Sequence, residues 1–206
     1  MPVQYETQHG GCAIICGSAP SLHEDLAKAR ELRPDATLLG VNFVGYLVPE
    51  IEHIWTQHHE VAHKIKEKTG RPIKIHSRPR EYKSGAGMWL LPASDAAWSC
   101  VDYVWPDLAW VSGSSGAAGA LWAKLGLKFD EVIMAGIQLS LDSQIYIQSY
   151  ADTQFRGNGT HFAGEHNIQH WQACLLGHKE KGLTQGIYSM SGFTRGLLGA
   201  PPVLEN

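Results

Sequence analysis

The run "HHEVAH", residues 58 to 63, gathers three of the chain's eleven histidines around the pattern His-Glu-x-x-His. On a helix, His59 and His63 lie one turn apart on a common face and could share a metal. Glu60 would then polarise a bound water. The surroundings argue against it. Lys64, Lys66, Glu67 and Lys68 follow directly, where a zinc-hydrolase helix buries its flanks, and "HIWTQ" before the run reads as a strand. The run then falls at a strand-to-helix turn, and spacing supplies no third ligand. No metal is expected here. Zinc hydrolysis is kept as the lesser alternative, and His58, at the strand end, is the residue expected to face a ligand cleft.

Glycines and serines offer a different chemistry. In "CGSAPSL", Gly17 lets a ligand approach the backbone, and Ser18 and Ser21 bring hydroxyls to a helix start, where a phosphate is welcome. A bulky residue at 17 is therefore expected to block binding and leave the fold intact. The stretch is neither a G-x-G-x-x-G fingerprint nor a P-loop, and a turn followed by an N-cap accounts for it equally well. Asn42 closes a second strand, where an amide can bond a base or a ribose or simply tolerate a turn. "SGSSGAAG" places Ser114, Ser115 and Gly116 at another helix start, while Gly119 and the alanines fit tight helix-to-strand packing.

The elements that must position these residues alternate. "CAIIC" (12–16) is a short apolar strand, and Leu22, Leu26, Ala29 and Leu32 recur at helical spacing after it. Ser21 is placed to cap that helix, with Glu24 three residues later. "TLLGVN" (37–42), "HIWTQH" (53–58) and "PIKIH" (72–76) read as strands, with a polar helix ending near Lys68. Residues 78–100 are an irregular excursion. After "VDYVW", "SGSSGAAGALWAKLGLK" is a turn into a helix and "EVIMAGIQL" a buried strand. A polar, Gly-rich stretch from Ser140 to Gly164 precedes a helix from about Glu165 to Lys181; "GIYSM" is a last strand and 200–206 a tail. The alternation predicts one α/β domain over residues 1–206, Rossmann-like, with a mostly parallel sheet and helices on both faces. The Ser/Gly turns and Asn42 then share one edge of that sheet.

At 206 residues and 44% hydrophobic content, the chain can bury a substantial core. A formal net charge of -3 argues against a broad grip on nucleic acid or anionic membrane. No apolar run is long enough to span a bilayer, and nothing resembles a signal peptide, so a cytoplasmic location is the default expectation. Cys12 and Cys16 fit small apolar filler in a strand. The sequon at Asn158 is read as coincidence.

The order "IICGSAPSL", "GVNF", "SGAAGALWAKLGLKFDEVIMAGIQL", "HFAGEHN" resembles the bacterial sialyltransferases of glycosyltransferase family 42 and their small relatives. That resemblance implies a Rossmann-like nucleotide-binding fold, a CMP-sugar donor and no required metal or further cofactor. It implies that Gly17, Pro20 and Ser21 form the donor turn, that Asn42 follows the second strand, and that Ser115 and Gly116 precede the long helix. Tyr146 matches a tyrosine on the donor phosphate. His166 matches the catalytic histidine, with His161 as its rival. The chain departs from the family at Gln138, where an Asp is common, and near Ser140, where a second tyrosine is missing. It is also shorter.

Glycosyl transfer without a metal needs a cradle for the leaving phosphate, help for its departure, and a base for the acceptor hydroxyl. The Ser/Gly turns and Tyr146 suit the first two. A histidine suits the third, because a base poised near the working pH is most effective. His166 opens a helix, whose positive end favours the neutral, proton-accepting imidazole. Trp89 could stack on an acceptor and Arg195 could meet an anion, although packing and a surface ion pair account for such residues too. The reading is a glycosyltransferase acting on a nucleotide-sugar, and the alternative is a non-catalytic nucleotide- or sugar-binding module.

Overall fold

The computed structural model describes residues 10–58, 62–79, 98–141 and 165–203, the side chain of His166 excepted. Among the described residues there are seven strands: β1 (Cys12–Cys16), β2 (Thr37–Val41), β3 (His53–Thr56), β4 (Lys74–Ser77), β5 (Tyr103–Val104), β6 (Glu131–Ala135) and β7 (Ile187–Ser189). They form one sheet in the order β5-β4-β3-β2-β1-β6-β7, and every pairing is parallel. The α/β Rossmann-like expectation holds.

Side-chain alternation explains why both faces carry helices. Ala13 and Ile15 of β1 join one core cluster, together with Trp55, Trp122 and Met134. Ile14 and Cys16, one residue out of step, join the other with Leu22, Leu26 and Ile65. A strand buried on both sides must be apolar throughout, and "CAIIC" is. Helices α1 (Leu22–Leu32) and α2 (Ala62–Thr69) contribute to the second cluster. Helix α3 (Ser115–Leu121) contributes to the first, and α4 (Glu165–Glu180) and α5 (Gly192–Leu198) pack beyond it through Leu175, Trp171, Phe193 and Leu197. The chain runs outward from β1 to β5 and then returns to the far side of β1 for β6. Crossovers of one hand place the helices before and after that reversal on opposite faces.

Several elements depart from the sequence reading. Ser21 does not cap α1: its backbone is helical and its hydroxyl makes no cap bond. Helix α3 continues into a π-helical turn, Trp122–Gly126, which periodicity cannot register. Helix α5 occupies a stretch that carried no helical pattern, being only seven residues long with Gly192 at φ +67 at its start. Part of the tail is anchored. Arg33 holds Glu131 with both Nε (2.6 Å) and Nη2 (2.9 Å), and Nη2 also donates to the Pro202 carbonyl at 3.0 Å. That fork joins the end of α1, the start of β6 and the tail at the edge away from the predicted site.

Candidate functional site

Strand order reverses between β1 and β6, and in sheets of this kind ligands bind beyond the carboxyl ends of the strands at such a point. Two loops leave there side by side. Gly17 N–H donates to the Ala135 carbonyl at 2.8 Å, and Ala19 N–H to the Gly136 carbonyl at 3.0 Å. A Cβ on Gly17 would stand 2.5 Å from Ile137 Cγ1, and one on Gly116 would stand 2.7 Å from Ile137 Cγ2. The two small-residue turns, with their glycines 99 positions apart in sequence (116 − 17), therefore meet on one side chain. Packing alone already demands glycine at both positions, so a bulky residue at 17 would disturb the crossing of β1 and β6, contrary to the expectation of an intact fold. The packing reading of Gly119 also stands: its Cβ would come 2.8 Å from Val41 Cγ2.

The remaining predicted residues divide. Ser114 is a helix cap, its Oγ accepting from Ala117 N at 3.1 Å, and it is buried with Ser18. Ser115 opens α3, half-buried, and Pro20 is exposed. Asn42 has a left-handed backbone, φ +54, and its Oδ1 accepts from Thr56 Oγ1 at 2.8 Å. Thr56 Oγ1 in turn accepts from His58 N at 3.0 Å. With its oxygen committed, Asn42 keeps its amide nitrogen as a donor end at the head of β2. His58 is half-buried two residues beyond β3, which ends at Thr56 and not at 58 as the sequence pattern predicts.

Ser21 takes an unforeseen partner. Its hydroxyl donates to Asp25 Oδ2 at 2.7 Å, and the same oxygen accepts from Ser191 Oγ at 2.6 Å and Gly136 N at 3.0 Å. The signal was present in the sequence: Asp25 sits among Leu22, Leu26 and Ala29, where an apolar residue is due. A carboxylate on the buried stripe of a helix must be bonded by something. Thr56 carried no such signal, because a threonine ending a strand is ordinary.

Tyr146, His161, Trp89, His59 and Glu60 lie outside the described residues. His166 is the second residue of α4. Arg195 is exposed on α5, its Nη1 donating to the Met190 carbonyl at 3.3 Å. The His-Glu-x-x-His run spans the join between the end of β3 and Ala62, where α2 is first described, and His63 is exposed. Among the described residues, no group of three or more His, Cys, Asp or Glu side chains is placed to hold a metal, and no helix is long and apolar enough to cross a membrane.

Compared with family models, curated proteins and solved structures, the chain matches none. Architecture by itself does not specify an activity, so function must be argued from the groups at the strand reversal.

A second polar group lies on β4. His76, fully buried, accepts from Trp105 Nε1 through Nδ1 at 3.1 Å and meets His53 Nδ1 through Nε2 at 2.8 Å. An indole N–H can only donate, so the His76 proton sits on Nε2 and is given to His53. Rings of Tyr103 at 4.8 Å and Trp122 at 4.7 Å enclose it. Burial, and then the neighbouring His53, push His76 well below the ordinary 6.5. It is a neutral relay in an aromatic box.

Proposed function

We propose that this chain binds a nucleotide across the carboxyl ends of β1, β2 and β6 and transfers a sugar from the nucleotide to an acceptor hydroxyl. The observation that carries the reading is the meeting of the turns after β1 and before α3 on Ile137, at the point where strand order reverses. A ligand lying there runs along the first turn of α1, where the Leu22 and Asp25 N–H groups already serve the Ala19 and Ser21 carbonyls and those of His23 and Glu24 are left to receive it. The Asn42 amide nitrogen, its oxygen held by Thr56, donates to a base or ribose acceptor. Ser115 and Gly116 approach the same place from α3. His166, opening α4, takes the acceptor proton, and Tyr146 steadies the leaving phosphate. The resemblance of "GSAPSL" and "SGAAGALWAKLGLK" to family 42 sequences favours a CMP-sugar donor.

A thermal-shift series with CMP, UDP, GDP and ADP, with and without chelator, tests the proposal. One base should stabilise the fold, and chelator should not matter. At a hundred times its Kd a ligand adds about 2.7 kcal/mol. Indifference to all four would overturn nucleotide binding. Stabilisation without hydrolysis or transfer of any matched nucleotide-sugar would leave a binding module instead of a transferase.

A further inference from the structure

Three loops converge on one carboxylate oxygen. Asp25 Oδ2 accepts from Ser21 after β1, Gly136 after β6 and Ser191 after β7, and the two hydroxyls lie 3.1 Å apart. Asp25 itself is 4% exposed, in the first turn of α1. Each hydroxyl carries one hydrogen, so two hydrogens serve the three oxygen-oxygen contacts of this triangle. Neither is left for a ligand, and the Gly136 N–H is spent as well. Yet a backbone N–H and two hydroxyls beside a helix start are the donors that grip a phosphate in other folds.

We propose that the anion in this cradle is the chain's own. The Asp25 carboxylate fills it, and its charge makes Asp25 the residue that decides how many negative charges a ligand brings to the switch point. Each phosphate charge brought beside the first turn of α1 is repelled by the Asp25 carboxylate, so a ligand with one phosphate is tolerated better than a ligand with two. Ser191, which begins α5 without capping it, is held to the same oxygen, so the β7 loop closes the cradle. The ligand side of this inference rests on the nucleotide reading above; the occupied cradle does not.

Two arms separate them. Asp25→Ala leaves three donors facing the place of the lost carboxylate. Formate, the smallest carboxylate, should raise the melting temperature of Asp25→Ala by clearly more than it raises that of the parent. If Asp25→Ala stays unfolded without formate, recovery on adding it is the same result. Equal responses of parent and variant, or no recovery, would overturn the cradle. In the second arm, calorimetry compares a nucleoside monophosphate with the diphosphate of the same base. The parent should favour the monophosphate, and the near-isosteric Asp25→Asn should shrink that preference by about tenfold, the effect of removing one close like charge. Ser191→Ala, which keeps the charge, should leave the preference unchanged. An unaltered ratio in Asp25→Asn sinks the charge filter. If no nucleotide binds any of the proteins, the nucleotide reading and the filter with it fall, and the formate arm alone decides the cradle.

Discussion

Gly17 and Gly136 leave each other no room for a side chain. A Cβ on Gly17 would stand 2.6 Å from the Gly136 carbonyl oxygen, and one on Gly136 would stand 2.7 Å from the Gly17 carbonyl oxygen. The cause is topological, because β1 and β6 are parallel neighbours whose chains turn off over the same spot. Gly17→Ala should therefore cost roughly 1–3 kcal/mol, the scale of overpacking a tight site. Gly136→Ala should cost more, since its φ of +66 adds left-handed strain that glycine avoids. Urea unfolding of both variants checks this. A Gly17→Ala protein as stable as the parent would mean that the crossing relaxes at no cost, and would restore position 17 as a clean probe of ligand approach.

The His53–His76–Trp105 relay should make the fold sensitive to acid. His76 is held neutral in the native state, while in the unfolded chain it takes up a proton as pH falls through the ordinary 6.5. The unfolded state then binds more protons than the native one, so stability is lost as pH falls below 6.5 and is unaffected by this group above it. The loss approaches about 1.4 kcal/mol per pH unit for one proton. His76→Gln is the reference, because an amide can accept from Trp105 and donate to His53 without titrating. The parent should lose stability more steeply than His76→Gln between neutrality and mild acid. Parallel curves would show that His76 protonates in place.

How much of this was legible beforehand follows from the range of each interaction. The runs "AIIC" (13–16) and "VIMA" (132–135) announce themselves because every residue in them is apolar and buried. Strand order does not, since pairing is set by contacts across the whole chain. Composition and spacing mark the glycines at 17 and 116 but not their shared partner, Ile137, because no local rule links a strand end to two distant turns. The spacing of Ser21 to Glu24 predicts a helix cap. The structure gives its hydroxyl to Asp25, one turn on, since a buried carboxylate gains more from a donor than an exposed helix end does. The histidine pair was invisible for the same reason: His53 and His76 belong to different strands, and only parallel pairing brings the rings together.

The last prediction concerns the base. His166 is the second residue of α4, and a general base must be neutral to take up a proton. If it takes the acceptor proton, His166→Ala should lower turnover by roughly a hundredfold or more with little change in donor affinity. Turnover of parent and variant should be followed from about pH 5 to pH 9, where a histidine base gives an acid limb near its own titration. That limb should disappear in His166→Ala. His161→Ala is the control, because it shares the segment and is the rival for the role. Full activity in His166→Ala, with the parent's pH profile, removes His166 from the reaction. Loss confined to His161→Ala moves the base to position 161. A drop in both turnover and donor affinity in His166→Ala would point to ligand binding at the head of α4, because a base that acts only in the transition state leaves the ground-state complex intact.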